Sequence, residues 1–347
     1  MGEIQSAIYS QPEMVPSVTM AAAALNASGG VNGHPLKVES CNTNADNNTA
    51  IACARKAVSD KVAAVVDMAT FEGAAVLPIL QAAKIPAIAS QAFTPADYSS
   101  PAAFPLIDAA SGFGATGQQL AGVAGVKKIA VMAIDSQAGL AAAQATVNLA
   151  KAKGASARLV PVPQTATDVS SQVQDAIHGS DAIALAVPGQ VAALIIPAIR
   201  QQDSKMIIGT SSGVYSQAGL SAAQLEGIYV DSPNPPLDDT NDSSISKFLA
   251  DAQKYGNGNK AIETSNGLLG WTSVQLFAKV ASGISGSINS AAVFTAMNGV
   301  KNLDFLWLKN YTVDPSSKNR VFNKYIYLCR ATGGKLVVEP GNPILVG

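Results

Sequence analysis

The chain has 347 residues, more than one ordinary hydrophobic core serves, so we expect two domains. Its 23 basic and 24 acidic residues give a net charge of -1, which argues against nucleic acid or a membrane surface as the main ligand. Hydrophobic residues make up 48% of the chain and aromatic residues only 5%, a composition typical of buried parallel strands covered by helices.

Targeting segments are not evident in the sequence. No apolar run reaches the roughly 18 residues that a membrane-spanning helix needs. No charged-then-apolar leader opens the chain. We therefore expect a soluble protein, from which any signal segment has been removed.

The first ninety residues alternate strand and helix patterns. Asn44 or Asp46 can cap the second helix, which would run to Val58. The pattern predicts βαβαβαβ winding. The predicted strands are 4–8, 36–40, 62–66 and 86–89, and the other predicted helices are 15–26 and 74–83.

The second half repeats this scheme, and each half contains one segment of strand, polar loop, proline-containing helix and short strand. The internal prolines are Pro78 and Pro197. The repeat predicts two similar parallel sheets that face one another. The strands predicted in the second half are 128–134, 157–162, 182–186 and 206–208, and the helices are 140–153, 169–178 and 190–201.

The last hundred residues return to both domains. Helices are predicted at 245–255 and, with an amphipathic pattern, at 267–281; a hairpin is predicted from 321–328 and 336–338. Such a path ties the domains by several segments and forms a hinge. We predict one lobe from 1–118 and 248–326, a second from 119–247 and 327–347, and a ligand cleft between them.

Ligands of open parallel sheets bind beyond the carboxyl ends of the strands. The loops predicted there are small and polar and contain three aromatic residues, which suits a compact organic solute. The candidate ligand-binding residues are Tyr9, Thr70, Phe71, Glu72, Ser90, Gln91, Ala92, Phe93, Ser136, Gln137, Ala138, Val187, Pro188, Gln190, Ser211, Ser212 and Tyr215.

The sequence contains three cysteines. Cys41 ends a predicted strand and Cys53 lies on the next predicted helix, so a disulfide is geometrically plausible in an exported protein. Two buried thiols are the alternative. Cys329 is predicted to be a buried thiol of a strand.

A glycine pattern supports an alternative function, an NAD-linked oxidoreductase. Residues 112–117 match GxGxxG, and Asp135 lies at about the spacing of a ribose-binding acid. The preceding segment 104–108 contains Pro105 and Asp108, which argue against a buried strand there. We therefore expect no cofactor and interpret the glycines as easing entry into the helix that leads to the second domain.

Two further patterns suggest chemistry that the rest of the sequence does not support. Residues 209–213 match the GxSxG nucleophile elbow, but His34 and His178 both precede Ser211, so the order Ser, acid, His is not met. The two histidines are far apart and form no metal-ligand cluster. We expect neither catalysis nor a metal.

Several segments resemble the leucine/isoleucine/valine-binding type of periplasmic binding protein. They are 22–33, which contains the pattern N-x-x-G-G-x-N-G, the Cys41-to-Cys53 region with the helix 53–58, and the segments 85–88 and 225–230. The resemblance covers nearly the whole chain. It implies a type I periplasmic-binding-protein fold, two Rossmann-like parallel-sheet domains joined by a three-segment hinge.

The resemblance also implies a function. A monomer outside the cytoplasm would close on a solute and deliver it to the membrane permease of an ABC importer, with no cofactor. The paired cysteines resemble a variant common in exported lipoproteins, which implies an anchor cysteine outside this sequence. The same fold also serves as the ligand-sensing domain of receptors or of amide-responsive regulators.

The resemblance places an amino acid's carboxylate and ammonium against the loops nominated above, and three positions depart from the family pattern. Ala138 stands in place of a tyrosine, Phe93 in place of a threonine and Ser212 in place of the glutamate that pairs with the ammonium. A buried ammonium without a carboxylate is costly. Unless Glu72 substitutes, we expect a carboxylate, amide or aromatic acid as the solute.

Overall fold

The computed structural model describes residues 1–6, 10–123, 125–323, 325–341 and 343–345. The chain forms two units: unit 1 is Met1–Ala109 with Thr240–Lys324, and unit 2 is Ala110–Asp239 with Tyr325–Gly347. The chain therefore passes between the units three times. The predicted α/β class is confirmed.

Helices and strands are numbered in chain order. The helices are α1 (Met14–Ala27), α2 (Asn47–Ser59), α3 (Gly73–Ala82), α4 (Pro95–Ser99), α5 (Ala109–Gly122), α6 (Gln137–Ala152), α7 (Ser170–Ile177), α8 (Gly189–Gln202), α9 (Ser212–Gln217), α10 (Ala222–Leu225), α11 (Ser243–Tyr255), α12 (Ser265–Ala281) and α13 (Ser290–Asn298). The strands are β1 (Val65–Val66), β2 (Ala87–Ala92), β3 (Ala103–Asp108), β4 (Lys128–Ile134), β5 (Ser156–Val162), β6 (Ala182–Ala186), β7 (Ile207–Ser211), β8 (Tyr229–Ser232), β9 (Leu303–Phe305), β10 (Leu308–Tyr311), β11 (Tyr325–Thr332), β12 (Lys335–Val338) and β13 (Ile344–Leu345). A short 3-10 helix spans Lys260–Ile262.

The predicted lobe boundaries differ from the unit boundaries. Those after residues 118 and 247 fall inside α5 and α11, whereas the units divide close to the starts of these two helices. A helix packs as one body, so a boundary is expected in the linker beside it.

Unit 1 contains a parallel sheet in the order β1-β2-β3 and an antiparallel pair, β9 and β10. Its most buried helix is α12, which packs against α1 and β2. The predicted helix at 267–281 is confirmed, but its predicted amphipathic pattern is wrong, because fourteen of its residues, from Gly267 to Ala281, are buried. Polar residues such as Thr272 and Gln275 gave the sequence its amphipathic pattern, but in the structure they are buried too, because neighbouring elements cover the helix on several sides.

Unit 2 contains one sheet in the order β12-β11-β8-β7-β6-β4-β5, and β13 pairs with β11. Strands β4 to β8 are parallel, and β11 is antiparallel to β8 and β12. The predicted strands 128–134 and 182–186 are confirmed to the residue, and the predicted hairpin is confirmed as β11 and β12. Buried Val, Ile, Leu and Ala side chains fill both faces of this sheet.

Three predicted strands of unit 1 differ from the structure. Residues 4–6 of the predicted first strand are not a strand, and 7–8 lie outside the described residues. Residues 36–40 are not in a strand, and only Val65–Val66 of the segment 62–66 is. A strand requires a neighbour for its hydrogen bonds, and a sequence pattern does not supply one.

We predicted that the segment 104–108 is not a buried strand, and that is wrong. The segment belongs to the buried strand β3. Pro105 is tolerated because β3 is the last strand of the three. The Pro105 carbonyl accepts a hydrogen bond from the Phe322 N–H, so the missing Pro105 N–H also points away from β2.

Cys41 and Cys53 form the predicted disulfide bond. Cys329 lies in β11 as a buried free thiol, as predicted. Asp46 caps α2 by accepting a hydrogen bond from the Thr49 N–H, which decides between the two predicted caps. No helix among the described residues has the length and hydropathy to span a bilayer.

Candidate functional site

Parallel strands of both units end in short turns that lead directly into helices. In unit 1, β1 leads to α3 and β2 leads to α4; in unit 2, β4, β6 and β7 lead to α6, α8 and α9. Most of the predicted ligand-binding residues lie in these turns or at the first residues of these helices. This carboxyl edge is where α/β sheets bind ligands.

A cluster of carboxylates and hydroxyls lies at this edge in unit 1. The Glu3 carboxylate is fully buried and accepts hydrogen bonds from Thr43 Oγ1 at 2.9 Å and Thr70 Oγ1 at 3.1 Å. The Ala45 N–H donates to it at 2.5 Å. Thr70 Oγ1 also lies 2.6 Å from Glu72 Oε2, so it links the two acids.

Glu72 is the more accessible of these two acids. It precedes α3 as the N-cap residue and is half-buried. Burial raises its pKa, and the nearby Glu3 carboxyl raises the pKa further. The Glu72 carboxyl therefore keeps its proton more readily than an exposed glutamate does.

Phe71, which directly precedes Glu72 in the sequence, packs its ring against that of Phe93. Phe71 and Phe93 have ring centroids 5.0 Å apart in an edge-to-face arrangement. Phe71 keeps 41% of its surface exposed. The turn after β2 is held by Asp97, whose carboxylate accepts hydrogen bonds from the N–H groups of Phe93 and Thr94. The pair thus forms an apolar wall on a fixed turn.

The candidates Ser90, Gln91 and Ala92 lie in β2 itself and are buried. Gln91 Nε2 donates to Asp67 Oδ1 at 3.2 Å, and Gln91 Oε1 accepts from Gln11 Nε2 at 2.9 Å. Burial raises the pKa of Asp67 to about 7. These bonds connect the turn after β1 to β2, so Gln91 positions the edge of the sheet.

The turns of unit 2 are less charged. Ser136 caps α6 by accepting a hydrogen bond from the Gly139 N–H at 3.0 Å. Ser211 ends β7, and Ser212, buried, begins α9. No acidic residue lies in the first turn of α6, α8 or α9. Helix N-termini in general favour an anionic group.

The other predicted residues of unit 2 have different exposures. Val187 is buried, whereas Pro188 and Gln190 are exposed at the start of α8. Tyr215 lies in α9, partly buried against the apolar core. Tyr9 lies outside the described residues, and so do the side chains of Gln137 and Ala138.

Sequence reasoning did not find Glu3 and Thr43. Glu3 precedes the segment that we predicted as the first strand, and no local pattern marks a buried acid. Thr43 lies three residues after the predicted strand 36–40, so the rule used for the other loops would have found it.

The GxGxxG glycines lie inside α5, which begins at Ala109, and not in the turn before it. A Cβ atom on Gly114 would lie 2.7 Å from Leu149 Cδ1, and one on Gly117 would lie 2.1 Å from the Thr146 carbonyl oxygen. Both contacts are with α6. Close packing of two helices therefore explains Gly114 and Gly117 without a pyrophosphate.

Ser211 does lie between a strand and a helix, as the GxSxG pattern predicts. Its φ of -80° is ordinary extended backbone, unlike the strained turn of a nucleophile elbow. No group of three or more His, Cys, Asp and Glu side chains with metal-binding geometry occurs in the described part of the chain.

Comparison with known proteins agrees with this architecture. A substrate-binding periplasmic protein from Ralstonia solanacearum superposes with a TM-score of 0.80 and 16% identity, covering 97% of this chain and 98% of that chain. The branched-chain amino acid transporter substrate-binding protein LivJ from Streptococcus pneumoniae, crystallised with isoleucine, has a TM-score of 0.76 and 21% identity over 97% of each chain. A fatty acid ABC transporter substrate-binding protein from Thermomonospora curvata has a TM-score of 0.74 and 17% identity, covering 100% of this chain and 92% of that chain.

At these low identities, the similarity establishes the fold but not the function. The type I periplasmic-binding-protein fold that we predicted is confirmed. A comparison with curated sequences gives no significant match. The family described as "Periplasmic binding protein" matches residues 5–335. The match spans nearly the whole chain, and the parallel strands end in turns at the carboxyl edge of each sheet. This chain therefore belongs to the periplasmic binding protein family.

Proposed function

We propose that this protein binds a small organic solute outside the cytoplasm and delivers it to the membrane permease of an ABC importer, without catalysing a reaction. Family membership supports the binding role. The observation that carries the proposal is the chemistry of the turns: carboxyl edges of both sheets offer hydroxyls, helix N-termini and an aromatic pair.

The location is supported by the Cys41–Cys53 disulfide, since such bonds persist in oxidising compartments. We propose that the native protein works as a monomer and is held at the outer face of the membrane by a lipid anchor. Size-exclusion chromatography with light scattering tests the first statement, and mass spectrometry of the protein purified from its own cells tests the second.

In this proposal the solute contacts turns of both units, and its binding closes the hinge that the three connections form. A solute shifts such an equilibrium only if it binds the closed state more tightly than the open one. Small-angle scattering is expected to show compaction when the solute is added. An unchanged radius of gyration at saturation would contradict hinge closure.

The turns of the two units differ in charge, so we infer that they bind different ends of one solute. The turns of unit 2 combine helix N-termini with serine hydroxyls. Asp135 lies in the turn before α6, whereas the turn before α8 has no acid, which favours a carboxylate there. Unit 1 offers Glu72 and the ring of Phe71. A compact acid with an apolar body fits both. In this proposal Glu72 accepts an N–H of an ammonium or amide group. The family pattern gives that role to a glutamate, and Ser212 stands in its place in this chain.

Calorimetric titration against amino acids, aliphatic carboxylates, amides and aromatic acids tests the proposal. We expect a carboxylate-containing member to bind, and Ser212→Ala to weaken that binding. Glu72→Gln separates the solute classes: it should lower affinity at least about tenfold for an amine-bearing solute and leave a simple acid unaffected. NADH fluorescence titration covers the oxidoreductase alternative. Binding of NADH, with no panel member bound, would overturn the proposal.

A further inference from the structure

One hydroxyl of unit 1 faces two carboxyl groups. Thr70 Oγ1 lies 3.1 Å from Glu3 Oε1 and 2.6 Å from Glu72 Oε2, and both are hydrogen-bond distances. A hydroxyl has one hydrogen, so Thr70 donates to only one of these carboxyl groups. The contact with the other is a hydrogen bond only if that carboxyl group carries a hydrogen. The three side chains together therefore require one proton more than two ionised acids hold.

The environment of each acid indicates which one carries this proton. Glu3 is fully buried, and it also accepts hydrogen bonds from Thr43 Oγ1 at 2.9 Å and from the Ala45 N–H at 2.5 Å. Donors directed at a carboxylate favour its ionised form. Burial instead raises the pKa of Glu72, and hydrogen bonding with Glu3 and the charge of Glu3 raise it further. The proton therefore belongs to Glu72, which donates to Thr70, and Thr70 donates to Glu3.

No cation forms an ion pair with Glu3 or Glu72 in the described part of the chain, where the ion pairs use other carboxylates. The charged group nearby on α4 is a third acid, because a Cβ atom on Gly73 would lie 2.8 Å from both carboxylate oxygens of Asp97. The other acid of this sheet edge is Asp67, which follows β1 and is buried. These surroundings favour a carboxyl group that keeps its proton.

Building on the proposed solute-binding function, we propose that Glu3, Thr70 and Glu72 hold one proton between them and thereby set the kind of group that Glu72 takes from the solute. With the proton in place, Glu72 is an uncharged carboxyl group and pairs with a hydroxyl or an amide of the solute. An ammonium group pairs with Glu72 only after the proton has left for the solvent. Glu3 and Thr70 are positioning residues, because they act through Glu72.

The cost of moving the proton decides between these solutes. An ammonium group beside an uncharged carboxyl group gains a hydrogen bond but no opposite charge, and burying it in that state is unfavourable. Releasing the proton supplies the opposite charge, but it leaves two carboxylates facing one hydroxyl hydrogen. A solute with a hydroxyl in place of the ammonium group avoids both costs. Unit 1 should therefore prefer uncharged polar groups at low pH and accept ammonium groups as the pH rises.

Carboxyl-carbon NMR of the chain labelled at glutamate tests the shared proton without any solute, and Glu72→Gln assigns the signal. We expect the titration midpoint of Glu72 to fall by at least about 0.5 pH units in Glu3→Gln, because the charge that holds the proton is lost. The control Glu263→Gln removes an acid that pairs with Lys260 instead, and it should leave the midpoint unchanged. Equal midpoints in the natural chain and in Glu3→Gln would overturn the proposal.

Variants of Thr70 provide a second measurement if Glu3→Gln does not fold. In the natural chain and in Thr70→Ser, the Glu3 signal should shift while Glu72 titrates, because the hydroxyl links the two carboxyl groups. Thr70→Val should lose at least about half of this shift. An undiminished shift in Thr70→Val would show that the hydroxyl does not carry the link and would overturn the proposal.

Calorimetry with leucine and its α-hydroxy analogue, which differ in the ammonium group, tests the selection of the solute. Affinity for leucine should rise with pH by up to about tenfold per unit below the Glu72 midpoint, with one proton released to the buffer, whereas affinity for the hydroxy acid should stay within about twofold. Glu72→Gln should bind the hydroxy acid as before and lose the pH dependence for leucine.

A pH-independent affinity for leucine while Glu72 titrates would overturn the selection. Binding of neither compound at any pH would contradict the proposed function instead, and the NMR titration would still decide the shared proton. The two failures are therefore distinguishable.

Discussion

The rings of Phe71 and Phe93 lie edge to face with centroids 5.0 Å apart and join the turn after β1 to the turn after β2. These turns belong to one sheet edge but are separated in sequence by helix α3. The contact gives unit 1 an apolar surface next to the half-buried Glu72. Its effect on binding can be separated from its effect on folding, because Phe71 remains 41% exposed.

We expect Phe71→Ala to lower affinity for the solute found by the calorimetric panel at least about tenfold, since aromatic contacts with a ligand are lost. The Tm should change little, because Phe71 contributes little to the core. The matched control is Val337→Ala in β12, which removes another exposed apolar side chain, 52% exposed. Equal affinities of the two variants would exclude Phe71 from the site.

The disulfide should contribute measurably to stability. The double variant Cys41→Ala/Cys53→Ala removes a crosslink between residues 12 apart, which we expect to cost about 3 kcal/mol through the entropy of the unfolded chain. Denaturant titration with and without a reductant measures this. The natural chain should lose stability on reduction, and the double variant should not respond. A response of the variant would indicate that another group is the sensitive one.

The buried Asp231 should make stability fall with rising pH. Burial raises its pKa from 3.8 to about 7, opposed by the hydrogen bond from Thr116. In this range the folded protein keeps a proton that the unfolded chain releases, so the free energy of unfolding declines as pH rises from about 4 to 7.

We therefore expect Asp231→Asn to reduce the loss of stability between about pH 4 and pH 7, as measured by denaturant titration at each pH. Part of the slope should remain, because burial raises the pKa of Asp67 to about 7 as well. Asp168→Asn is the control: Asp168 is exposed, and hydrogen bonding to Ser170 lowers its pKa. If both variants have the same slope, Asp231 does not titrate in this range.

Gly117 should be needed for helix packing. A Cβ atom there would overlap the Thr146 carbonyl oxygen of α6, so we expect Gly117→Ala to destabilise unit 2 by at least about 2 kcal/mol. Gly122 lies in the same helix with open space around its Cβ position, and Gly122→Ala should stay within about 1 kcal/mol of the natural chain. Thermal unfolding compares the two; a stable Gly117→Ala variant would contradict the packing interpretation.

The extent of successful prediction differs between the units. In unit 2, β4 after its first residue and β6 throughout are continuous apolar runs with paired neighbours on both sides, and their predicted bounds match the structure. In unit 1, the segment 36–40 has a strand pattern but lies along an open cavity. The same local signal thus gave opposite outcomes, because a strand is completed by the chain beside it.

The candidate site was predicted only in part. The rule that ligands lie beyond the strand ends brought the turns of Thr70, Phe93 and Ser212 to notice, and each of them follows a strand. The acid Glu3 escaped notice, because its burial depends on donors from Thr43 and Thr70, which lie 40 and 67 residues away. No short sequence window contains Glu3, Thr43 and Thr70 together.

By itself the sequence determined the alternation of strands and helices, the capping of α2 by one of two residues, and a cysteine pair able to close a short loop. These follow from periodicity and from the conformational preferences of individual residues, which act over a few positions. Only the tertiary structure decided which strand patterns are paired, that α12 is buried nearly all round, and that Glu3 and Glu72 share Thr70. Burial and hydrogen bonding depend on what packs alongside, and that is set by contacts between residues far apart in the chain.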